Sequence, residues 1–254
     1  TQAMKIPFKR SDAAGSPRIL VGVSGSEDVS LLLDLGFNGS IAIPISTLEK
    51  AGDRIADTAP TEEGQSSSTV FGQKSSTASI ATLRELRIGD LRLKDFPVVT
   101  GTAVSDFHVG IDFLRHFRVT VDWMNNDLYL EPREKIDALY PDFATYGFKL
   151  QLRDGKLVVG AIWRDSAADK AGMKLGDQLI AINSRDTKIA DFSTLCAVSD
   201  VVGLFGTNNA PVSVTWLSGG KQKASDIAKT PLLPQRRADD SSADQLSIGG
   251  HTGM

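Results

Sequence analysis

Cysteine is nearly absent from the sequence: Cys196 is the single one, which excludes an internal disulfide and a cysteine-based metal site. It falls in a predicted amphipathic helix, where a small buried hydrophobe is the expected role. Only three histidines are present, His108, His116 and His251, and their spacing matches no metal-binding pattern. We therefore expect neither a metal nor another cofactor.

Long apolar runs and a dominant charge are also missing. No stretch approaches the roughly 18 apolar residues that a membrane-spanning helix needs. The 28 basic and 31 acidic side chains are scattered, so no broad cationic surface for nucleic acid is expected. No signal peptide is visible at Thr1, but an exported protein without its leader would look the same. The compartment stays open, with a periplasmic or secreted location favoured if a leader has been removed.

The stretch Leu31–Ser40 stands out among what is present. Three leucines run directly into Asp34, which is followed by Leu35, Gly36 and a Phe-Asn-Gly-Ser turn. This pattern predicts a buried strand that ends in a turn displaying one carboxylate. Such an aspartate either accepts backbone hydrogen bonds as a structural turn residue or is held out for chemistry.

A second stretch, residues 108–117, has the pattern His-Val-Gly-Ile-Asp-Phe-Leu and precedes a predicted hairpin through Asn125 and Asn126. An apolar-Asp-x-Gly turn followed by this segment resembles one lobe of a retropepsin-like aspartic protease, over roughly residues 5 to 133. In that family the second segment is a short helix after a strand that passes beneath the catalytic loop. The resemblance implies a mainly β, barrel-like lobe at 1–135 with Asp34 as the catalytic residue.

The same resemblance assigns supporting roles around Asp34. Leu35 and Gly36 would form the supporting turn, and the Ser40 hydroxyl would brace the Asp34 carboxylate by a hydrogen bond. The family usually has a serine or threonine where this chain has Leu35, so the hydroxyl that would bond across a pair of lobes is missing. Asp112, after Gly110, is expected to form an ion pair or a helix cap.

Residues 55–79 are rich in Ser, Thr, Gly and Gln around the apolar centre Val70, Phe71 and Gly72. One interpretation is a solvent-exposed hairpin or loop. The other follows from the resemblance: these residues occupy the position of the protease flap, which lies over the substrate backbone and excludes water.

After a connector at 136–145, residues 146–233 resemble a PDZ domain of the circularly permuted bacterial form. The most specific part is residues 171–183, which read Ala-Gly-Met-x-x-Gly-Asp-x-x-x-x-x-Asn. The expected fold is a β-sandwich with one or two helices, and residues 234–254 are expected to form a disordered tail.

The PDZ resemblance implies a peptide site. Tyr146, Gly147 and Phe148 would supply backbone N–H groups for a peptide carboxylate, while the peptide adds as a strand beside the predicted helix 191–204. Three residues on one helical face, Phe192, Leu195 and Ser199, would set the pocket. The alternative is that these side chains pack the core.

Catalysis by an aspartic dyad needs two carboxylates that share one proton, and this chain offers one candidate turn. The second aspartate would come from Asp34 of a symmetric partner or from a missing amino-terminal lobe, as in longer bacterial proteins with two protease-like lobes. The first hypothesis is an aspartic peptidase whose PDZ domain recruits peptide or unfolded protein. The second is an inactive protease-like lobe joined to a PDZ peptide-binding module.

Overall fold

The computed structural model shows a mainly β chain, which confirms the expected fold class. No helix in the described part of the chain is long and apolar enough to cross a membrane. The structure describes residues 3–11, 15–26, 28–64, 67–69, 72–74, 77–141, 143–188, 190–202, 210–233 and 245–246.

The elements follow one another in an order dominated by strands. The strands are β1 (Met4–Ser11), β2 (Ser16–Val23), β3 (Val29–Leu33), β4 (Ile41–Ala42), β5 (Thr61–Gly64), β6 (Ser67–Thr69), β7 (Gly72–Lys74), β8 (Ala78–Ile88), β9 (Leu91–Gly101), β10 (His108–Val109), β11 (Phe117–Asp122), β12 (Asp127–Pro132), β13 (Phe148–Arg153), β14 (Lys156–Trp163), β15 (Gln178–Ile182), β16 (Arg185–Asp186), β17 (Val212–Ser218), β18 (Lys221–Ile227) and β19 (Gln245–Leu246). The helices are α1 (Ile45–Lys50), α2 (Ile111–Leu114), α3 (Ala167–Lys170) and α4 (Phe192–Val202), with a 3-10 turn at Ile136–Leu139.

The chain forms two compact units that interleave in sequence. The first unit contains residues 1–59, 79–141 and 236–254, and the second contains residues 60–78 and 142–235. The sequence had suggested contiguous domains at 1–135 and 146–233. Residues 60–78, which leave the first unit and return to it, belong to the second unit in the structure. We call this segment the excursion.

The first unit is built around a closed six-stranded barrel. The ring runs from β2 to β3, from β3 to β10, from β10 to β4 and from β4 to β9, and the β8–β9 hairpin returns it to β2. Strand β1 leaves the ring to pair with β12, which in turn pairs with β11. Alternate residues of each strand point inward, so the core of this unit is apolar. It includes Val21, Leu31, Ile41, Leu83, Leu93 and, from helix α2, Phe113.

Local sequence explains the tight hairpins of this unit. Gly89 adopts a φ of +57° in the two-residue turn between β8 and β9, a conformation that glycine enters without steric cost. Between β11 and β12, the Asp122 carboxylate accepts hydrogen bonds from the backbone N–H groups of Met124 and Asn125 at 3.0 and 3.1 Å. Asp122 is therefore a turn residue, as its position between two strands had indicated.

Apart from β6 and β7, the described strands of the second unit pair into an antiparallel sheet, against which two helices pack. Strand β14 pairs with β13 on one side and with β5 and β15 on the other, and β15 continues to β17 and β18. Helix α3 packs against β14 and helix α4 against β13. The core between these layers includes Tyr146, Phe148, Leu179, Val198 and Trp216.

One expectation about this unit is wrong. Cys196 lies in α4 as predicted, but its side chain is exposed rather than buried. In α4 the buried positions include Val198 and Val202, which lie one helical turn apart, and Cys196 lies off that stripe.

In the expected tail, Gln245 and Leu246 form strand β19, which pairs with Arg92 and Leu91 of β9. Residues 234–244 and 247–254 lie outside the described residues.

Candidate active site

The turn that carries Asp34 begins where strand β3 ends. Leu31 and Leu33 are buried in the barrel, so the strand is anchored directly up to the aspartate. The backbone N–H of Asp34 donates to the carbonyl of Val109 at 3.0 Å. The aspartate is thus positioned by its main chain.

Strand β10 runs beneath this turn, between the two strands that the turn connects. It pairs in parallel with β3, where Val109 lies opposite Leu33, and antiparallel with β4, where Val109 lies opposite Ile41. The short helix α2 follows directly. The order of strand and short helix is the one that the resemblance in the sequence had implied.

Three backbone hydrogen bonds fasten the turn to the start of α2. The N–H of Gly110 donates to the Ser40 carbonyl at 2.8 Å, that of Ile111 to Phe37 at 2.9 Å and that of Asp112 to Gly39 at 3.2 Å. A side chain at Gly110 would not fit, because an added Cβ would lie 2.2 Å from the Phe37 carbonyl oxygen. The close approach of these two backbones therefore requires glycine at position 110.

The Asp34 carboxylate has the structural role of a turn residue, one of the two alternatives that the sequence left open. One oxygen, Oδ1, accepts a hydrogen bond from the Gly36 N–H at 2.9 Å, which is the geometry of a structural Asx turn. Within the described residues this is the one hydrogen bond to the side chain, which is half-exposed. The neighbouring Leu35 is 70% exposed. The turn thus exposes the Leu35 side chain and leaves the neighbouring Asp34 side chain partly accessible.

Ser40 does not brace the aspartate. Its hydroxyl is buried, with 2% of the residue exposed, and finds no hydrogen-bond partner among the described residues. The Ser40 main chain does hold the turn, through the carbonyl that accepts from Gly110. The predicted hydrogen bond between the Ser40 hydroxyl and the Asp34 carboxylate is therefore wrong.

His108, which the sequence had singled out only as a poor metal ligand, belongs to the surroundings of Asp34. Its ring makes an edge-to-face contact with Phe37, with 4.5 Å between the centroids. Burial lowers the pKa of His108 below its ordinary value of 6.5, and the negative charges of Asp34 and Asp106 only partly oppose this shift. No sequence pattern pointed to this role, because the contact depends on the pairing of β10 with β3.

The other predicted residues of the first motif lie as follows. Asp112 forms an ion pair with Arg115 at 3.0 Å at helix α2, in line with the expected structural role.

Of the predicted flap residues, Val70 and Phe71 lie outside the described residues. Gly72 begins strand β7 and lies opposite Thr69 of β6 in an antiparallel pair. Within the described residues, no group of three potential metal ligands is placed to hold an ion.

The second candidate site lies in the second unit, at the loop before β13. Tyr146 and Phe148 are buried in the core, and the Tyr146 hydroxyl donates to the Ala210 carbonyl at 2.9 Å. Gly147 has a φ of +93°, and its N–H donates to the Thr145 hydroxyl at 3.0 Å. An added Cβ at Gly147 would lie 2.1 Å from the Ser166 hydroxyl oxygen, so only glycine fits at this position.

Helix α4 presents part of the predicted pocket to solvent. Phe192 is 71% exposed and Ser199 is exposed, whereas Leu195 is half-buried and packs against the core. Of the two alternatives for Phe192, core packing is therefore excluded, and Leu195 takes the core role. Helix α4 begins at Phe192 because the Asp191 carboxylate accepts a hydrogen bond from the Thr194 N–H at 2.7 Å. This satisfies one of the backbone N–H groups that have no partner within the first turn of a helix.

Solved structures offer some likenesses to this chain. A retropepsin-like aspartic protease from Rickettsia conorii is 19% identical, with 51% of this chain and 91% of that chain covered and a TM-score of 0.38. A serine endoprotease from Yersinia pestis is 16% identical over 90% of this chain and 85% of that one, with a TM-score of 0.26. The HtrA-type protease AlgW with decapeptide is 12% identical over 87% and 74%, with a TM-score of 0.28.

No protein-family model matches the sequence, and no curated protein does either. Because all three TM-scores are below 0.5, these likenesses assign neither a family nor an activity to the chain. The chemistry of the site has to be inferred from its own residues.

The fit of Gly110 against the turn leads to a prediction about stability. Gly110→Ala should lower the free energy of unfolding by about 1–3 kcal/mol, because the new methyl group meets rigid backbone. Urea unfolding followed by tryptophan fluorescence measures this change. Gly22→Ala is the matched control: its Cβ would meet the movable end of Arg87 at 3.1 Å, so the free energy should change by less than about 1 kcal/mol. Equal losses in the two variants would contradict the fit.

The environment of His108 leads to a prediction about pH. Because its pKa is lowered in the folded state, the unfolded chain takes up the proton first as the pH falls through 6.5. The free energy of unfolding should therefore decrease between about pH 7 and pH 5. In His108→Phe, which keeps a ring against Phe37, this part of the decrease should be lost. Urea titrations at several pH values test it, and identical pH dependence in both proteins would contradict it.

Proposed function

We propose that this chain is an aspartic-type peptidase in which Asp34 pairs with a second carboxylate, and that its second unit captures peptide in the manner of a PDZ domain. The observation that carries the proposal is the display of Asp34. The carboxylate stands at the end of a buried strand, in a turn that a later strand and short helix support from beneath by backbone hydrogen bonds. A rigid main chain with a half-exposed side chain is what a positioned catalytic acid requires.

The chemistry would follow from sharing one proton. Two carboxylates about 3 Å apart cannot both ionise, so one stays charged and the other protonated. The charged group takes a proton from water as it attacks the peptide carbonyl, and the protonated group donates to the carbonyl oxygen. Asp34 has an oxygen, Oδ2, without a hydrogen bond from the described residues, and that atom is available for the shared proton.

The second carboxylate would come from Asp34 of a second copy. A twofold axis beside the turn places the same residue on both sides without any further sequence. Leu35, 70% exposed beside Asp34, would be covered by such a partner. A protease-like lobe that precedes this chain in a longer protein is the alternative source, and it too would present its acid to this turn.

Peptide capture by the second unit is supported by the layout around β13. Among the described strands, β13 pairs with β14 alone, and helix α4 packs beside it. A peptide would add along the open edge of β13, with its carboxylate at the N–H groups of residues 146–148. The Gly147 N–H donates to the Thr145 hydroxyl in this structure, and a bound peptide carboxylate would take the place of that hydroxyl as the acceptor. Phe192 and Ser199 would line the groove.

One observation favours the second candidate function, a binding module without turnover. Leu35 stands where the aspartic proteases have a hydroxyl residue, so the hydrogen bond between paired lobes cannot form. Such a protein would bind peptide without cleaving it, and inhibitors of the pepstatin type would leave it unaffected.

The deciding experiment replaces the aspartate and follows cleavage of a peptide library by mass spectrometry. Asp34→Asn should lower cleavage at least about 10²-fold, the smaller end of what a general acid–base group contributes, without change in thermal stability. Asp90→Asn is the control, because Asp90 is an exposed turn residue between β8 and β9 and should leave cleavage unchanged. Undiminished cleavage by Asp34→Asn would remove Asp34 from the mechanism. Peptide binding with no cleavage by the unaltered chain would favour the binding module.

A further inference from the structure

Among the described residues of the excursion, one short strand pairs with the rest of the second unit. Strand β5 pairs antiparallel with the end of β14, with Glu62 opposite Trp163 and Gly64 opposite Ala161. The Arg164 N–H also donates to the Thr61 carbonyl at 2.9 Å. Residues 61–64 therefore form an added edge strand of the sheet that contains β13 and β14.

An ion pair between a buried glutamate and a half-buried lysine secures this added strand. Glu62 is 1% exposed, and the Lys149 ammonium lies 2.7 Å from its Oε1 and donates to its Oε2 at 2.8 Å. Burial raises the pKa of the Glu62 carboxyl, and the charge of Lys149 opposes that shift. Removing Lys149 would leave the buried Glu62 charge without compensation, which is strongly destabilising.

The ion pair connects β13 with β5 across β14. Lys149 of β13 lies opposite Ala161 of β14, which in turn lies opposite Gly64 of β5. The two residues beside Lys149 in this cross-strand row are therefore small. The lysine side chain has room to pass over β14 to Glu62, two residues from Gly64. Lys149 thus belongs to the strand whose open edge would receive the peptide.

The close pairing of β5 with β14 requires a glycine at position 64. Its φ is +114°, and an added Cβ would lie 2.2 Å from the Gly160 carbonyl oxygen. Only glycine permits β5 to lie this close to β14. A second ion pair on the same strand, between Glu63 and Arg164, is exposed on both sides and contributes little.

We propose that the Glu62–Lys149 pair couples strand β5 to peptide binding in the groove between β13 and α4. The ion pair fixes Lys149, and with it the strand at whose open edge the peptide would add, and the same contact holds β5 through Glu62. Binding is reciprocal, so a docked β5 also raises the affinity of the groove for peptide. Glu62 and Lys149 are positioning residues in this scheme, which rests on the peptide capture proposed above.

The test compares two glutamate variants on the same strand. Fluorescent peptides from a random library with free carboxyl termini are selected on the full unaltered chain, and the tightest one is titrated against each variant. Glu62→Gln should raise its dissociation constant by about 5-fold or more, the lower range of such couplings. Glu63→Gln, the matched control, should leave it within about twofold. The double variant Glu62→Gln/Lys149→Met removes both charges and should show the same weakened binding with less loss of stability.

Hydrogen exchange gives a second readout that does not depend on affinity. Adding peptide to the unaltered chain should slow exchange at residues 148–153 and also at residues 61–64. Protection of 148–153 alone, together with unchanged affinity in Glu62→Gln, would overturn the coupling and leave peptide capture intact. No peptide bound by the unaltered chain would overturn peptide capture, and the coupling with it.

Discussion

The backbone hydrogen bonds between the Asp34 turn and the start of α2 are the constraint on which the candidate active site depends. They join residues 37–40 to residues 110–112, which are separated by some seventy positions along the chain, and they form only because Gly110 has no side chain. Strand β10 lies between the two strands that the turn connects, so the barrel and the turn are fixed by the same pairing. A carboxylate held by main chain in this way is presented rigidly without being buried.

In the second unit, the pairing of β5 with β14 likewise depends on a glycine. Gly64 allows β5 to approach β14, and the small residues Ala161 and Gly64 leave a path for Lys149 to reach Glu62. In both units a glycine permits close backbone contact, and a charged or polar group depends on that contact for its place. The two sites also differ, because Asp34 keeps one oxygen unpartnered within the described residues whereas Glu62 is fully enclosed by its own unit.

Much of this could be predicted from local patterns. Alternating apolar residues indicated the hairpins, the Gly89-Asp90 turn fixed the β8–β9 connection, and the leucine run into Asp34 identified the displayed carboxylate. Features that depend on distant pairing could not be predicted. The burial of His108 follows from β10 lying beside β3, the environment of Glu62 from β5 joining β14, and the unpartnered Ser40 hydroxyl from the detailed course of its turn. Cys196 shows the limit of periodicity, since one helical position decides between core and surface.

We proposed that Asp34 meets a second Asp34 across a twofold axis, and a cross-link tests this proposal most directly. In a Cys196→Ser background, Leu35→Cys places a thiol on the exposed residue beside the carboxylate, where two copies would bring the sulfur atoms within disulfide range. Mild oxidation of this variant should give a covalent dimer on non-reducing electrophoresis, while Cys196→Ser alone stays uncross-linked. A chain that remains uncross-linked with Leu35→Cys and sediments as a monomer would contradict the pairing.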